Sequence, residues 1–531
     1  MIIYRSRKLS HQCDNITYLI SVGVLCVMAM SVLVVSDKFV DDIIMPKCYF
    51  TLITGLFFLL VVVICTFKTR SHLNYDLIYK QTCIGVILLG GIEAILALCP
   101  DCCALIYRRS GLVGSFDNAA GLISCLCFIY PIVLFRIKDD TSIYRIVYIV
   151  AAILIILIVV LYRSRSGMIC VVILSMLILL KNHKRRFWGV VMCLLLMLPM
   201  SILFFKKGSS QGRWLILRRS YEMFQQHMIL GWGSHGFQSH YMNTQADYFS
   251  QFPTNPYTDL ADNIHHPLNE WVCIAVNYGI VGIILCLTIA IVICLYYVKH
   301  KTYYGREGMV VFLSISFLSC FTYVFYYPFT WVVILFASVL VFNPLLKSIH
   351  FTAKVGALLR ICIISLCMFF AYFMTSLTIQ QIKWKDVSDT AKYGLAKRCL
   401  KEYSFLYATL GNSTDFIYNY AAVLYKAKEY KKSLAMICNV ERRYADYDVL
   451  ILKAECLAKM HRYGEALSAF QRAHYMCPSR FLPLFGQYRV YRECHDTSTC
   501  ERLRTCILNK RVKVNSKEVL YMIYNVKNDS L

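Results

Sequence analysis

Stretches of about twenty apolar residues recur along this chain and limit what it can fold into more than any other feature. They lie near 16–36, 49–67, 80–100, 119–135, 146–162, 166–180, 187–205, 272–298, 309–327, 329–346 and 358–379. A helix needs about 20 apolar residues to cross roughly 30 Å of hydrocarbon. In lipid the backbone groups must be satisfied within the segment, and the alternation of a transmembrane barrel is absent, so the runs predict helices. The fold class expected is all-α: a polytopic integral membrane protein with about 11–12 transmembrane helices and a C-terminal helical-repeat domain. With 58% hydrophobic and 16% charged residues over 531 positions, a soluble or disordered chain is excluded. The first run has no small-residue cleavage site before Asp37, so it reads as a span and not a removed signal.

The charge of +25 mostly punctuates the apolar runs, as topology signals and contacts with anionic lipid do. Nothing resembles a nucleic-acid recognition element, and no nucleic-acid partner is expected. Many of the 25 cysteines lie inside apolar runs, where they serve as small hydrophobes. Arg5, Arg7 and Lys8 put the N-terminus on the cytoplasmic side, and Lys68, Arg70, Lys184, Arg185, Lys299 and Arg306 mark further inside loops. The long loop at 206–270 and the C-terminal tail then fall outside. Arg163 and Arg165 break the pattern, because they sit between two spans on the outer side. Either a span is miscounted or they are interfacial anchors, or an anionic substrate is held there.

From about 383 the sequence turns polar and helical. Lys432-Ser433-Leu434-Ala435 aligns with Glu465-Ala466-Leu467-Ser468, Tyr430 with Tyr463, and Ala421 with Ala454, a 33-residue offset. Ala473 and Pro478 fall where a tetratricopeptide repeat has its small packing residue and terminal proline. Such stacks bind proteins or pack passively.

The outer loop carries five of the thirteen histidines, His227, His235, His240, His265 and His266, with Arg213, Arg218, Arg219 and several tyrosines. Residues 213–228 predict a helix, broken by Gly231, Gly233 and Gly236. His265-His266-Pro267-Leu268-Asn269-Glu270 opens the next span, and the N–H groups at such a helix start suit an anion. No metal-binding spacing such as H-E-x-x-H and no nucleophile elbow occurs, so neither a metal nor a serine hydrolase is expected. Arginine forks clamp phosphate oxygens and histidine takes a proton from a hydroxyl, which fits transfer from a lipid-linked phosphate or diphosphate.

Four segments, in order, resemble the O-antigen ligase and polymerase superfamily of bacterial glycan transferases. They are Gly114-Ser115-Phe116-Asp117-Asn118, Tyr162-Arg163-Ser164-Arg165-Ser166-Gly167, Ser210-Gln211-Gly212-Arg213 with Gly231-Trp232-Gly233, and His266 to Asn269 with Gly279-Ile280-Val281-Gly282. The resemblance implies a multi-pass protein of the bacterial inner membrane with its active site and tail in the periplasm. It implies transfer of a glycan from undecaprenyl diphosphate, without cofactor or metal, to a hydroxyl of lipid A core, of protein or of a growing glycan. It also implies catalytic roles for Arg165, Arg213 and His266. Arg163, His265, Asn269, Arg108, Arg109, Asn118, Lys206, Lys207 and Tyr241 are expected to contact substrate, Tyr241 by stacking on sugar. The family histidine often stands directly before the asparagine, where this chain has Leu268. His266 matches the first of two histidines separated by one residue in many relatives, so His265 and His266 both stay candidates. The expected regions are an N-terminal bundle at 1–205, the loop at 206–270, further spans at 271–380 and the tail at 381–531. A ligase is the favoured reaction. A protein O-oligosaccharyltransferase and a repeat-unit polymerase are the enzyme alternatives, and a polyprenyl-glycan transporter is the alternative without catalysis. A protein partner of the tail is a further expectation.

Overall fold

A computed structural model describes residues 2–68, 75–180, 207–253, 255–348 and 353–529. The protein is all-α and polytopic: among the described residues there is no strand, only a single bridge between Val113 and Phe116. Eight helices there are long and apolar enough to cross a membrane. The expected count was higher for identifiable reasons. The run at 166–180 forms a helix of 15 residues, Arg165–Leu179, shorter than a span. The run at 309–327 divides between helix Tyr303–Ser319 and a short turn at Val324–Tyr326. The run at 187–205 lies outside the described residues.

The chain forms two compact units, one of residues 1–204 with 288–382 and one of residues 205–287 with 383–531. In the first, helix Ala119–Asp139 is the hub. It packs on Tyr75–Leu98, Tyr144–Leu161, Arg165–Leu179 and Tyr303–Ser319. Every residue from Gly121 to Phe135 is buried, as expected of a helix apolar on all sides at the centre of a bundle. Helix Ile44–Cys65 is the opposite case, with 11% of its most apolar window buried inside the protein, so its outer face is left to lipid.

In the second unit, eight helices from Ala396–Leu410 to Lys517–Lys527 stack in sequence order, each on the next. Ser413, Asp446, Asp496 and Ser516 cap four of them by accepting backbone N–H bonds. The aligned alanines, Ala421 and Ala454, are fully buried where neighbouring helices meet. The loop at 206–270 is not separate from this stack. Ile216, Met223, Phe237, Tyr241, Met242 and Val276 share one apolar core with Tyr447, Leu450, Leu457, Phe470 and Val490.

Candidate functional site

Glycines of the 206–270 loop and of the helix that follows it build a joint. Helix Glu270–His300 breaks at Gly279, whose backbone is left-handed with φ 62° and ψ −155°. The break frees N–H and C=O groups, and the turn after helix Lys207–Gln226 takes them. Trp232 N–H donates to the Val276 carbonyl at 3.0 Å and Gly233 N–H to that of Asn277 at 2.9 Å, while Ile280 N–H donates to Met228 at 2.8 Å. A Cβ on Gly231 would lie 2.4 Å from the Asn277 carbonyl carbon, and one on Gly279 would lie 2.3 Å from the Ile229 oxygen. The Asn277 side chain completes the joint by accepting from Phe237 N–H at 2.8 Å. Trp232 is packed between His227 and His240, with ring centroids 4.0 and 4.2 Å away, and donates its indole N–H to Met223. Burial, and then the nearby His227, lower the His240 pKa below the usual imidazole value. His227 and His240 are therefore packing residues of this turn.

The two adjacent histidines are held differently. Leu268, with φ 56°, turns its N–H onto His266 Nδ1 at 3.2 Å. That bond leaves the Nδ1 lone pair facing a donor, so the proton of a neutral ring sits on Nε2. Nε2 lies 3.5 Å from Oε2 of the buried Glu270, four residues on. Asn269 caps the helix by accepting from Val272 N–H at 3.1 Å. His265, by contrast, is held from the tail: its Nδ1 hydrogen-bonds the Tyr444 hydroxyl, its ring stacks on Tyr444, and its Nε2 is 3.8 Å from Asp446.

His266, Glu270 and Cys273 present ligand atoms within 4.8 Å of one another, a set of metal-binding types that the sequence spacing did not single out. The two histidine nitrogens already face Leu268 N–H and Glu270, and Cys273 Sγ accepts from Asn277 Nδ2 at 3.6 Å. The arrangement is that of an oriented histidine. Glu270 was missed as its partner, though the i,i+4 spacing from His266 was a usable signal.

Arg213 lies on the exposed side of helix Lys207–Gln226, whose Ile216 and Met223 face the shared core. Arg219 on the same helix is buried, pairs with Glu222 at 2.7 Å and lies over Tyr248. Burial lowers its pKa, opposed by Glu222. Tyr241, expected to stack on sugar, is a core residue instead. It is fully buried, stacked on Phe237, with its hydroxyl donated to Gln245.

Arg165, in the first unit, opens helix Arg165–Leu179 just after Ser164, which caps it through Gly167 N–H. Arg163 precedes it with a left-handed backbone, φ 50°, and an exposed side chain. Arg108 ends the short helix Pro100–Tyr107 and Arg109 pairs with Asp42. Asn118 caps helix Ala119–Asp139 and donates to the Tyr323 and Tyr327 hydroxyls at 2.8 and 3.0 Å. Lys206 and the Lys207 side chain lie outside the described residues. The Gly114–Asn118 segment is fixed by two charged residues that sequence reading missed. Lys47, fully buried, donates to the Val32 and Ser115 carbonyls and to Ser115 Oγ, while buried Glu93 accepts from Ser115 N–H at 3.0 Å. A lone acid inside an apolar run was the signal for Glu93.

Residues 150–287 match the family model described as O-antigen ligase. The match takes in Arg165, Arg213 and His266 and ends before the helical stack. It supports the O-antigen ligase superfamily for this chain, and with it a glycosyltransferase-like membrane enzyme of lipid-linked glycans. No curated protein and no solved structure matches the chain.

Proposed function

We propose that the protein transfers a glycan from undecaprenyl diphosphate to a hydroxyl acceptor at the periplasmic face of the inner membrane, most like an O-antigen ligase and without a metal. The observation that carries this reading is the O-antigen ligase match over the segment that contains Arg165, Arg213 and the oriented His266. Arg165 and Arg213 hold the diphosphate and stabilise the negative charge that builds on it as the bond from the anomeric carbon to oxygen breaks. The acceptor hydroxyl displaces Leu268 N–H at His266 Nδ1, gives its proton to that nitrogen, and its oxygen bonds the anomeric carbon from the opposite face. The sugar configuration inverts, and undecaprenyl diphosphate leaves. Glu270 steadies the imidazolium that forms, through Nε2.

The C-terminal stack is taken as tetratricopeptide-like and periplasmic. Because it shares a core with the loop, it shapes the acceptor side of the site. That favours a large acceptor, lipid A core first and a protein second. The test is reconstitution of the purified protein with undecaprenyl-diphosphate glycan and each acceptor in turn, with product mass as readout. Arg213→Ala and Arg165→Ala are each expected to lower transfer by about 100-fold or more with unchanged membrane insertion. Undiminished transfer in both variants overturns the mechanism. Movement of the lipid-linked glycan across the bilayer with no product in any arm would instead support a transporter.

A further inference from the structure

The second unit encloses a half-open cavity of about 420 Å³. That falls in the range of small-ligand sites, about 300–1,000 Å³. It lies between helices Tyr447–Lys459 and Tyr463–Met476 of the tail, with Asn243 of helix Gly236–Gln251 also in its lining. Its polar lining is Asn243, Glu441, Asp446, Lys453, Glu465, Ser468 and Arg472, beside apolar surface that includes Leu450, Leu457 and Ala469.

The charges in this lining are compensated. Lys453 donates to both Glu441 oxygens at 2.9 and 2.7 Å. Arg472 pairs with Asp247 and donates to the Asn243 carbonyl at 3.1 Å. Glu465 pairs with Arg462 at 2.7 Å. An anionic ligand would meet three carboxylates, and a cationic one would compete with two cations already in place. What remains is a set of planar donors and acceptors beside apolar surface. A sugar matches both, since each hydroxyl donates and accepts and the ring carries C–H faces. Asp446, which lines the cavity, also faces His265 Nε2 at 3.8 Å.

We infer that this cavity binds an uncharged oligosaccharide segment of the acceptor, a role that rests on the transferase reading above. The loop then delivers the chemistry while the tail holds the sugar that receives the glycan.

The test uses the full chain in lipid nanodiscs and saturation-transfer NMR with neutral oligosaccharides of two to four hexose units. Ser468 lines the cavity and is exposed, so Ser468→Trp fills the space without entering the tail's core. Wild type and Ser468→Ala are expected to show saturation of sugar protons, with Ser468→Trp reducing it at least fivefold. Thermal melting unchanged by Ser468→Trp checks that the fold is intact. Glu465→Gln, a milder change at the rim, is expected to weaken binding by a smaller factor. Equal signals in wild type and Ser468→Trp overturn the proposal, as does preference for a phosphorylated sugar or displacement of the sugar by a serine-rich peptide. Arg213→Ala is expected to abolish transfer and leave sugar binding unchanged. A failure of the cavity therefore appears in binding, and a failure of the transferase reading appears in turnover.

Discussion

At Gly279 the requirement for glycine is steric twice over. Its φ of 62° with ψ of −155° lies in a region essentially reserved for glycine, at a cost to an L side chain of roughly 1–3 kcal/mol, and a Cβ there would collide with the Ile229 carbonyl, which is backbone and cannot rotate away. Gly279→Ala is expected to destabilise the second unit by about 2 kcal/mol or more, read as a lower melting temperature of the purified protein, while Gly212→Ala, helical and facing open space, is expected to stabilise by roughly 0.5–1 kcal/mol. Glu270 gives a second prediction at this scale. If it orients the imidazole and balances its charge, Glu270→Gln lowers turnover by about 10-fold or more with little change in donor binding. Donor KM rising while kcat holds would show that Glu270 acts elsewhere. The glycines were legible in the sequence as a pattern, but their reason was not, because the atoms they avoid belong to a segment about 48 residues away. Tyr241 marks the limit of such reading: an aromatic in the long polar loop suggests sugar stacking, and only the packing shows a core ring.

Among the elements, helix Tyr463–Met476 joins the 206–270 loop to the rest of the tail. Gln245 Nε2 donates to its Met476 carbonyl at 2.6 Å, and Arg472 reaches Asp247 and Asn243. The same helix carries His474, whose Nδ1 is buried with no hydrogen-bond partner among the described residues. Burial, reinforced by the Lys510 charge, lowers its pKa from 6.5 to about 4. The unfolded ring binds a proton near its ordinary value, and the folded one does so only near 4. Between those values the unfolded state holds more protons, so stability is full above about pH 6.5 and falls as the pH drops toward 4. The ceiling on this loss is about 3 kcal/mol, at roughly 1.4 kcal/mol per unit. Melting followed from pH 7 to pH 4 is expected to fall more steeply for wild type than for His474→Phe. Parallel curves would assign the acid sensitivity to other groups. The helical character of this region was legible in the sequence, and Ala421 and Ala454, 33 residues apart, are both buried. The docking of the region against helix Gly236–Gln251 was not legible, because that helix has mixed polarity and its partners follow more than 190 residues later.

For the whole molecule, the apolar runs made the membrane architecture readable, since crossing lipid imposes a local rule on every span. A shared core between two distant segments obeys no such rule. Ile216, Phe237 and Met242 look like scattered apolar residues of a loop until Tyr447, Leu450 and Phe470 are placed against them. The Asp262–Arg480 pair at 2.8 Å and the Gln238 carbonyl, which accepts from Ala445 N–H at 3.0 Å, tie the same two segments along their polar edges. The tail is therefore half of the structure that holds Arg213 and His266, and not an appendage. Removing residues 383–531 would strip the partner side from that core and expose its apolar face, at about 25 cal/mol per Å² uncovered. The truncated chain is expected to insert its spans normally, to become protease-sensitive within 205–270, and to lose transfer as completely as Arg213→Ala does. Supplying the tail as a separate polypeptide is expected to restore protease resistance and transfer; transfer by the truncated chain unaided would show that the loop folds alone and that the tail is not needed to hold the acceptor.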